Sequence, residues 1–171
     1  MYNRISIVGG SGTGKTTLAR KLGEVLNLPV VYIDAIQHKP NWEARPKEER
    51  DKMILEEVAK EKWIIEGTYR ATLKPRFEKS NLIIWLDYST FTQVKGVIKR
   101  YLTNSGKEKA EIPGCKEKLD FGFLLLVMKY RRTKRHYVEE ALEEINPSNI
   151  LVFEKQKSLD KLIEDICNYI K

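Results

Sequence analysis

The sequence has few cysteines and no long apolar run, and these absences exclude several classes of protein. Cys115 and Cys167 lie far apart without neighbouring ligand residues, whereas a structural zinc site needs four closely spaced ligands. One disulfide is compatible with this count, but we expect two free thiols in a reducing cytosol. The longest apolar run, 121–128, is far shorter than the ~20 residues of a membrane-spanning helix. No signal peptide is visible at the N-terminus, so we expect a cytoplasmic protein without a membrane partner.

Internal repeats and low-complexity tracts are absent too, which excludes solenoid and fibrous architectures. The 171 residues suit one ordinary domain, 1–171, and a hydrophobic content of 42% is sufficient for a packed core. A net charge of +7 favours polyanionic partners, which include nucleotides, nucleic acid and anionic membrane surfaces.

Short apolar runs alternate with helical patterns along the chain. The runs at 4–8, 30–33, 63–66, 82–87 and 150–153 are predicted strands. This alternation is typical of a parallel sheet covered by helices on both faces, so we predict a three-layer α/β sandwich with five parallel strands. Ligands bind beyond the carboxyl ends of such strands, so the residues that follow each strand are candidates for function.

The polar segment 103–120, which contains Gly106, Pro113 and Gly114, interrupts this alternation. We interpret it as a mobile insert between two helices. It is either a lid that closes over a ligand or an ordinary surface loop.

The strongest motif follows the first predicted strand and fits the pattern G-x-x-x-x-G-K-[ST]. Its residues are Gly9, Gly10, Ser11, Gly12, Thr13, Gly14, Lys15 and Thr16, with Thr17 next. Glycines let the backbone wrap a phosphate group, and the helix predicted from Lys15 presents its positive dipole end to the anion. Lys15 would place a cation between the β- and γ-phosphates, and Thr16 would offer its hydroxyl to Mg²⁺. We therefore expect this segment to bind ATP and Mg²⁺.

Acidic and basic residues follow the next two predicted strands. Asp34 follows the second strand, where it would orient an acceptor hydroxyl and take its proton; the alternative is a helix cap. After the third strand, Glu66 would hold a magnesium-bound water, and Arg70 beyond Gly67 would clamp a phosphate group. The alternative for Glu66 and Arg70 is an ordinary surface position.

These segments resemble the adenylate-kinase-like P-loop kinases, and within them the bacterial DNA topology modulation proteins. The resemblance rests on 9–17, 32–34, His38, Trp42, 63–70 and 82–87. It implies an ATP-binding fold with a five-stranded core sheet, an acceptor region after the second strand and a lid.

The chain also departs from adenylate kinases, which argues against AMP as the acceptor. Adenylate kinases carry Asp-Gly-Phe-Pro-Arg where this chain has Glu-Gly-Thr-Tyr-Arg at 66–70, and no arginine follows Asp34 before Arg45. His38 and Trp42 are either a wall of the acceptor pocket, with Trp42 stacking on a ring, or part of a packed loop.

A basic cluster interrupts an apolar helical stripe between 121 and 145. The stripe consists of Phe121, Leu124, Leu125, Met128, Val138, Ala141, Leu142 and Ile145. Arg131, Arg132 and Arg135 occupy its middle, and burial of guanidinium groups without anions is costly. We therefore predict that they neutralise the transferring γ-phosphoryl group, as the resemblance also implies; a solvated basic face is the alternative. Arg100 would stack on adenine or contact phosphate.

A kinase with a small acceptor is the leading hypothesis, as a monomer or homodimer. Lys15, Arg131 and Arg135 would stabilise charge, and Asp87 is a second candidate for the magnesium shell beside Glu66. Two alternatives stay open: a nucleic-acid-binding regulator that uses nucleotide as a switch, and an NTPase whose acceptor is water. The sequence shows no helix-turn-helix, zinc-finger or aromatic RNA-binding signature to support the regulator.

Overall fold

A parallel sheet forms the centre of the molecule, and its five strands lie side by side in the order Val30–Tyr32, Trp63–Glu66, Arg4–Gly9, Leu82–Leu86 and Ile150–Phe153. The computed structural model describes residues 2–117 and 120–170. In chain order the strands are β1 (Arg4–Gly9), β2 (Val30–Tyr32), β3 (His38–Lys39), β4 (Glu43–Ala44), β5 (Trp63–Glu66), β6 (Leu82–Leu86), β7 (Glu108–Lys109), β8 (Ile112–Lys116) and β9 (Ile150–Phe153). The helices are α1 (Lys15–Leu26), α2 (Ile33–Gln37), α3 (Lys47–Val58), α4 (Arg70–Lys79), α5 (Thr90–Asn104), α6 (Phe121–Thr133), α7 (Arg135–Ile145) and α8 (Leu159–Ile170), with a 3-10 turn at Pro40–Trp42.

Helices cover both faces of the sheet, which is why its strands are apolar on both sides. Along β1, Ile5 and Ile7 pack in one cluster with side chains of α1 and α8. Val8 packs in a second cluster with Leu73 of α4 and Val138 of α7. The prediction of a three-layer α/β sandwich with five parallel strands is confirmed.

Three predicted strand ends differ from the structure by one residue, and the first strand extends to Gly9 instead of ending at Val8. The second strand ends at Tyr32, because Ile33 and Ile36 both turn into a buried cluster with Ile54, and a spacing of three residues suits a helix. The fourth strand ends at Leu86. Asp34 therefore lies in the first turn of a short helix, on the exposed side.

The predicted insert is more regular than a mobile loop. Helix α5 continues to Asn104, and β7 and β8 form an antiparallel hairpin. We call residues 105–117 the lid hairpin; positions 118 and 119 of the predicted insert lie outside the described residues. The hairpin packs against α2, β3 and the 3-10 turn at Pro40–Trp42.

The apolar stripe predicted from 121 to 145 is wrong in its first half. Phe121, Leu125 and Met128 are exposed, and α6 buries Val127 and Tyr130 instead. The chain also breaks at Lys134, so α6 and α7 are separate helices. None of the described helices is long and apolar enough to span a membrane.

Candidate active site

The loop between β1 and α1 forms a cradle whose glycines are required by its shape. Gly12 and Gly14 have φ angles of 79° and 88°, in the left-handed region that favours glycine. Helix α5 lies directly against this loop: a Cβ atom on Gly96 would be 2.0 Å from the Gly12 carbonyl oxygen. Backbone contact with α5 thus fixes the loop, and sequence reasoning did not identify Gly96.

Two side chains of the motif bond back onto the loop. The Lys15 Nζ atom donates to the Gly10 carbonyl oxygen at 2.7 Å, and the Thr13 hydroxyl donates to the same oxygen at 2.9 Å. Burial lowers the pKa of Lys15, while the charge of Glu66, 3.9 Å away, acts in the opposite direction. Lys15 is therefore a partly desolvated cation held beside the phosphate cradle.

Glu66, the last residue of β5, connects this strand to the phosphate loop through a hydrogen bond. Its Oε2 atom accepts a hydrogen bond of 3.4 Å from the Thr16 hydroxyl. The carboxylate is almost fully buried, and this burial raises the pKa of Glu66 to about 7 against the opposing field of Lys15. A carboxylate that titrates near neutral pH within reach of Thr16 is suited to exchanging a proton for a metal ion.

The oxygen atoms around Thr16 suit magnesium better than a metal ion that is coordinated by protein side chains alone. Within residues 2–117 and 120–170, no group of three or more His, Cys, Asp or Glu side chains surrounds a common point. Mg²⁺ keeps several waters and takes one or two protein oxygens plus phosphate oxygens. Thr16 and Glu66 supply hydroxyl and carboxylate oxygens of that kind.

A cavity of about 340 Å³ opens beside Thr16. Thr16, Asp34 and Glu66 all line it, so the structure brings these three predicted residues together. The charge of Asp34 also contributes to the raised pKa of Glu66. The two carboxylates therefore share one electrostatic environment at the sheet edge where ligands bind in this fold class.

The lid hairpin forms the opposite wall of the cavity. Arg100 Nε contacts Glu117 at 2.9 Å and Arg20 Nη1 contacts Glu111 at 3.4 Å, so ion pairs join α5 and α1 to the hairpin. Arg100 lines this cavity, whereas the sequence analysis assigned it to adenine or phosphate.

Trp42 packs against the lid hairpin rather than into the cavity. Its Nε1 atom donates to the Lys116 carbonyl oxygen at 3.0 Å, and Lys109 lies over its ring, 4.7 Å from the centroid. His38 meets the same ring edge-on at 5.2 Å. Neither His38 nor Trp42 lines the cavity, so Trp42 is positioned to anchor the hairpin.

Asp87 supplies the anion that compensates two of the predicted arginines. Arg131 Nη1 donates to its carboxylate at 2.7 Å, and Arg135 Nη2 donates to it at 2.8 Å. The Asp87 side chain is only 2% exposed, whereas the two arginine side chains are partly exposed, so the cluster at the end of β6 has a buried anion and half-buried cations. The anion beside these two guanidinium groups in the structure is thus a carboxylate of the protein, and their predicted role at the γ-phosphoryl group stays a prediction.

Two other predicted residues lie at the surface. Arg132 is exposed near the end of α6. Arg70 is also exposed, and its guanidinium stacks on Tyr137 at 4.1 Å from the ring centroid. The structure therefore does not bring Arg70 or Arg132 together with the residues that line the cavity.

Arg76 is a buried charge that sequence reasoning missed. It is fully buried on α4, and its Nη2 atom donates to the Gly67 carbonyl oxygen at 2.8 Å. Burial lowers its pKa to about 10, while the charge of Glu66 acts in the opposite direction. Leu73 and Phe77 are four residues apart on the buried face of α4, and Arg76 lies between them in the sequence. This apolar spacing was the signal that Arg76 belongs to a buried helical segment. Arg76 positions the loop that follows Glu66.

Comparison with known proteins identifies the fold. No protein-family model and no curated protein sequence matches the chain. Among solved structures, shikimate kinase from Acinetobacter baumannii in complex with shikimate aligns with a TM-score of 0.63 at 17% identity, over 99% of this chain and 93% of that one. Shikimate kinase from Aquifex aeolicus gives 0.57 at 17% identity, over 98% and 95%. A gluconokinase from Sinorhizobium meliloti gives 0.54 at 12% identity, over 95% and 88%. The chain therefore has the P-loop α/β fold of these small-molecule kinases.

Proposed function

We propose that the protein is a kinase that transfers the γ-phosphoryl group of MgATP to a hydroxyl group of a small acceptor. The observation that supports this proposal most strongly is the cavity in which Asp34, Glu66 and Thr16 meet at the end of the phosphate loop. A pure NTPase needs no separate cavity with a candidate base. The fold neighbours, which are kinases with small substrates, support the same reaction class.

The phosphate loop holds the triphosphate in this proposal. Backbone N–H groups at the start of α1 point at the anion, and Lys15 leaves the Gly10 carbonyl to contact the β- and γ-phosphates. Thr16 and deprotonated Glu66 would hold Mg²⁺, which would supply positive charge against the phosphate oxygens.

Asp34 is the proposed general base. It lines the cavity from the first turn of α2, on the exposed side of that helix, so a hydroxyl group in the cavity is within its reach. Proton acceptance from the attacking hydroxyl and orientation of that group both require a free carboxylate. Within the described residues, no ion pair to Asp34 competes for this role.

Arg131 and Arg135 take a modified role. Both are held by Asp87 at the end of the strand beside the phosphate loop, so Asp87 orients them before nucleotide binds. We propose that they stabilise charge on the transferring group from these fixed positions. A direct role of Asp87 in the magnesium shell would require these ion pairs to open.

We further propose that the protein is related to the DNA topology modulation proteins that its sequence resembles. This relationship does not define its reaction. Two cations of the basic cluster, Arg131 and Arg135, are paired with Asp87 and leave the exposed face less basic. That arrangement supports a kinase over a nucleic-acid-binding regulator, and we propose that this kinase acts in the cytoplasm.

A screen for acceptor-dependent release of ADP tests the proposal. Nucleosides, nucleoside monophosphates and small hydroxylated metabolites are each supplied with MgATP, and phosphate transfer is confirmed on the acceptor. The variant Lys15→Ala should lose turnover, whereas Lys21→Ala, on the exposed side of the same helix, should retain it. ADP release at the same rate with and without every acceptor would contradict the kinase assignment.

A further inference from the structure

The cavity beside Thr16 has an unusual balance of charge. Its cationic side chains are Arg20, Arg100 and Lys109, and its acidic side chains are Asp34, Glu66, Glu108, Glu111 and Glu117. An acceptor that carries a carboxylate or phosphate group needs a free cation in its pocket. The question is therefore whether any of the three cations is available.

All three cations are already paired with carboxylates of the lid hairpin. Arg100 contacts Glu117 at 2.9 Å and Lys109 contacts the same carboxylate at 3.6 Å. Arg20 contacts Glu111 at 3.4 Å. Glu117 is only 5% exposed, so withdrawal of its partners would leave a buried charge uncompensated.

The remaining carboxylates face the cavity with little compensation. In the described part of the chain, no cation lies within ion-pair distance of Asp34 or Glu108, and Glu66 has only Lys15 at 3.9 Å. Once Lys15 and Mg²⁺ serve the nucleotide, the acceptor end of the cavity remains acidic. An anionic acceptor would meet like charge there and would have to break an ion pair to find a partner.

We propose that the acceptor is an uncharged or cationic polyhydroxyl compound, such as a sugar, a nucleoside or an amino sugar. This inference rests on the proposed kinase function and names its substrate class. The lid hairpin acts as the specificity element, because its Glu111 and Glu117 occupy the cations that would otherwise bind a carboxylate or phosphate group. Hydroxyl and ammonium groups instead find acceptors in Asp34 and Glu108.

Acceptors of related structure that differ in charge test this directly. The six-carbon series glucitol, glucosamine and gluconate, and the pair adenosine and AMP, are titrated against protein loaded with magnesium and a nonhydrolysable ATP analogue. We expect a neutral or cationic member to bind at least tenfold more tightly than the anionic member of its set, with the same preference in kcat/KM. Equal or tighter binding of gluconate or AMP would overturn the inference.

Failure of the inference and failure of the proposed function give different results. If the ATP analogue binds but no member of either set does, the substrate class is wrong and the nucleotide site stands. If the analogue itself does not bind, the kinase proposal falls.

A charge-removing substitution tests the role of the hairpin. Glu111→Gln frees Arg20, so the preference for neutral over anionic acceptors should fall at least threefold. The matched control is Glu24→Gln, which lies one turn beyond Arg20 on α1. It removes a carboxylate from an exposed ion pair with Lys21. An unchanged preference in Glu111→Gln, with the melting temperature of the parent protein, would show that the hairpin carboxylates do not select the acceptor.

Discussion

The clearest quantitative prediction concerns Glu66, whose burial disfavours the ionised carboxylate that the proposed magnesium site requires. Its pKa is about 7 in the folded protein against an ordinary value of 4.5. A pKa difference of one corresponds to about 1.4 kcal/mol, so the ionised carboxylate costs about 3 kcal/mol of stability. Below pH 4.5 the group is protonated in both states and the cost vanishes. As pH rises from 4.5 to 7 the unfolded chain loses its proton first, so stability falls across that window.

The substitution Glu66→Gln removes this penalty in the magnesium-free protein. The free energy of unfolding should exceed that of the parent by about 3 kcal/mol at pH 8.5 and by about 1 kcal/mol at pH 5.5. Urea denaturation at the two pH values measures both differences. The exposed substitution Glu24→Gln should change stability by less than about 0.5 kcal/mol at either pH.

The same variant should lose activity while it gains stability. In the proposed site only deprotonated Glu66 can bind the metal ion, so kcat/KM of the parent should rise with pH, with a midpoint near pH 7. The midpoint should move to lower pH where Mg²⁺ competes with the proton. The rise should be absent in the variant. A variant that is less stable than the parent at pH 8.5, or equally stabilised at both pH values, would refute the electrostatic reasoning.

Three further substitutions probe separate parts of the account. Asp34→Asn should lower kcat by about 100-fold or more, because the proposed base is removed. Its affinity for MgATP, measured by calorimetry, should stay within about twofold of the parent. A clear loss of that affinity would argue against the role of Asp34 as the base. Gly96→Ala places a methyl group against the phosphate loop, so it should cost about 1–3 kcal/mol of stability and weaken MgATP binding. The control Gly122→Ala, at an exposed position of α6, should do neither. Asp87→Ala removes the carboxylate that pairs with the partly exposed Arg131 and Arg135, and Arg135 keeps its ion pair with Glu139, so the substitution should cost about 1–3 kcal/mol in denaturation experiments. Loss of activity at full stability would instead indicate a magnesium ligand.

The sequence predicted the sheet well because each strand is a short apolar run with a helical pattern after it. It also placed Asp34 and Glu66 near the phosphate loop, because carboxyl ends of parallel strands meet at one edge. Strand boundaries were less secure where an apolar residue suits either element, as Ile33 does.

Long-range pairing is what the sequence could not reveal. Glu111 and Glu117 lie in a polar segment that resembles a loop. Their partners lie on other elements: Arg20 is on α1, far away in the sequence, and Arg100 is on α5. The segment 121–128 is almost entirely apolar, so periodicity could not single out Val127 as the buried residue.

Titration calorimetry of MgATP against the parent protein and Lys15→Ala is the most direct test of the central claim, which is that the loop at 9–16 binds a polyphosphate. The parent should bind MgATP at least tenfold more tightly than the variant, and ADP should compete for the same site. No heat of binding in the parent, or equal affinity in both proteins, would contradict the claim.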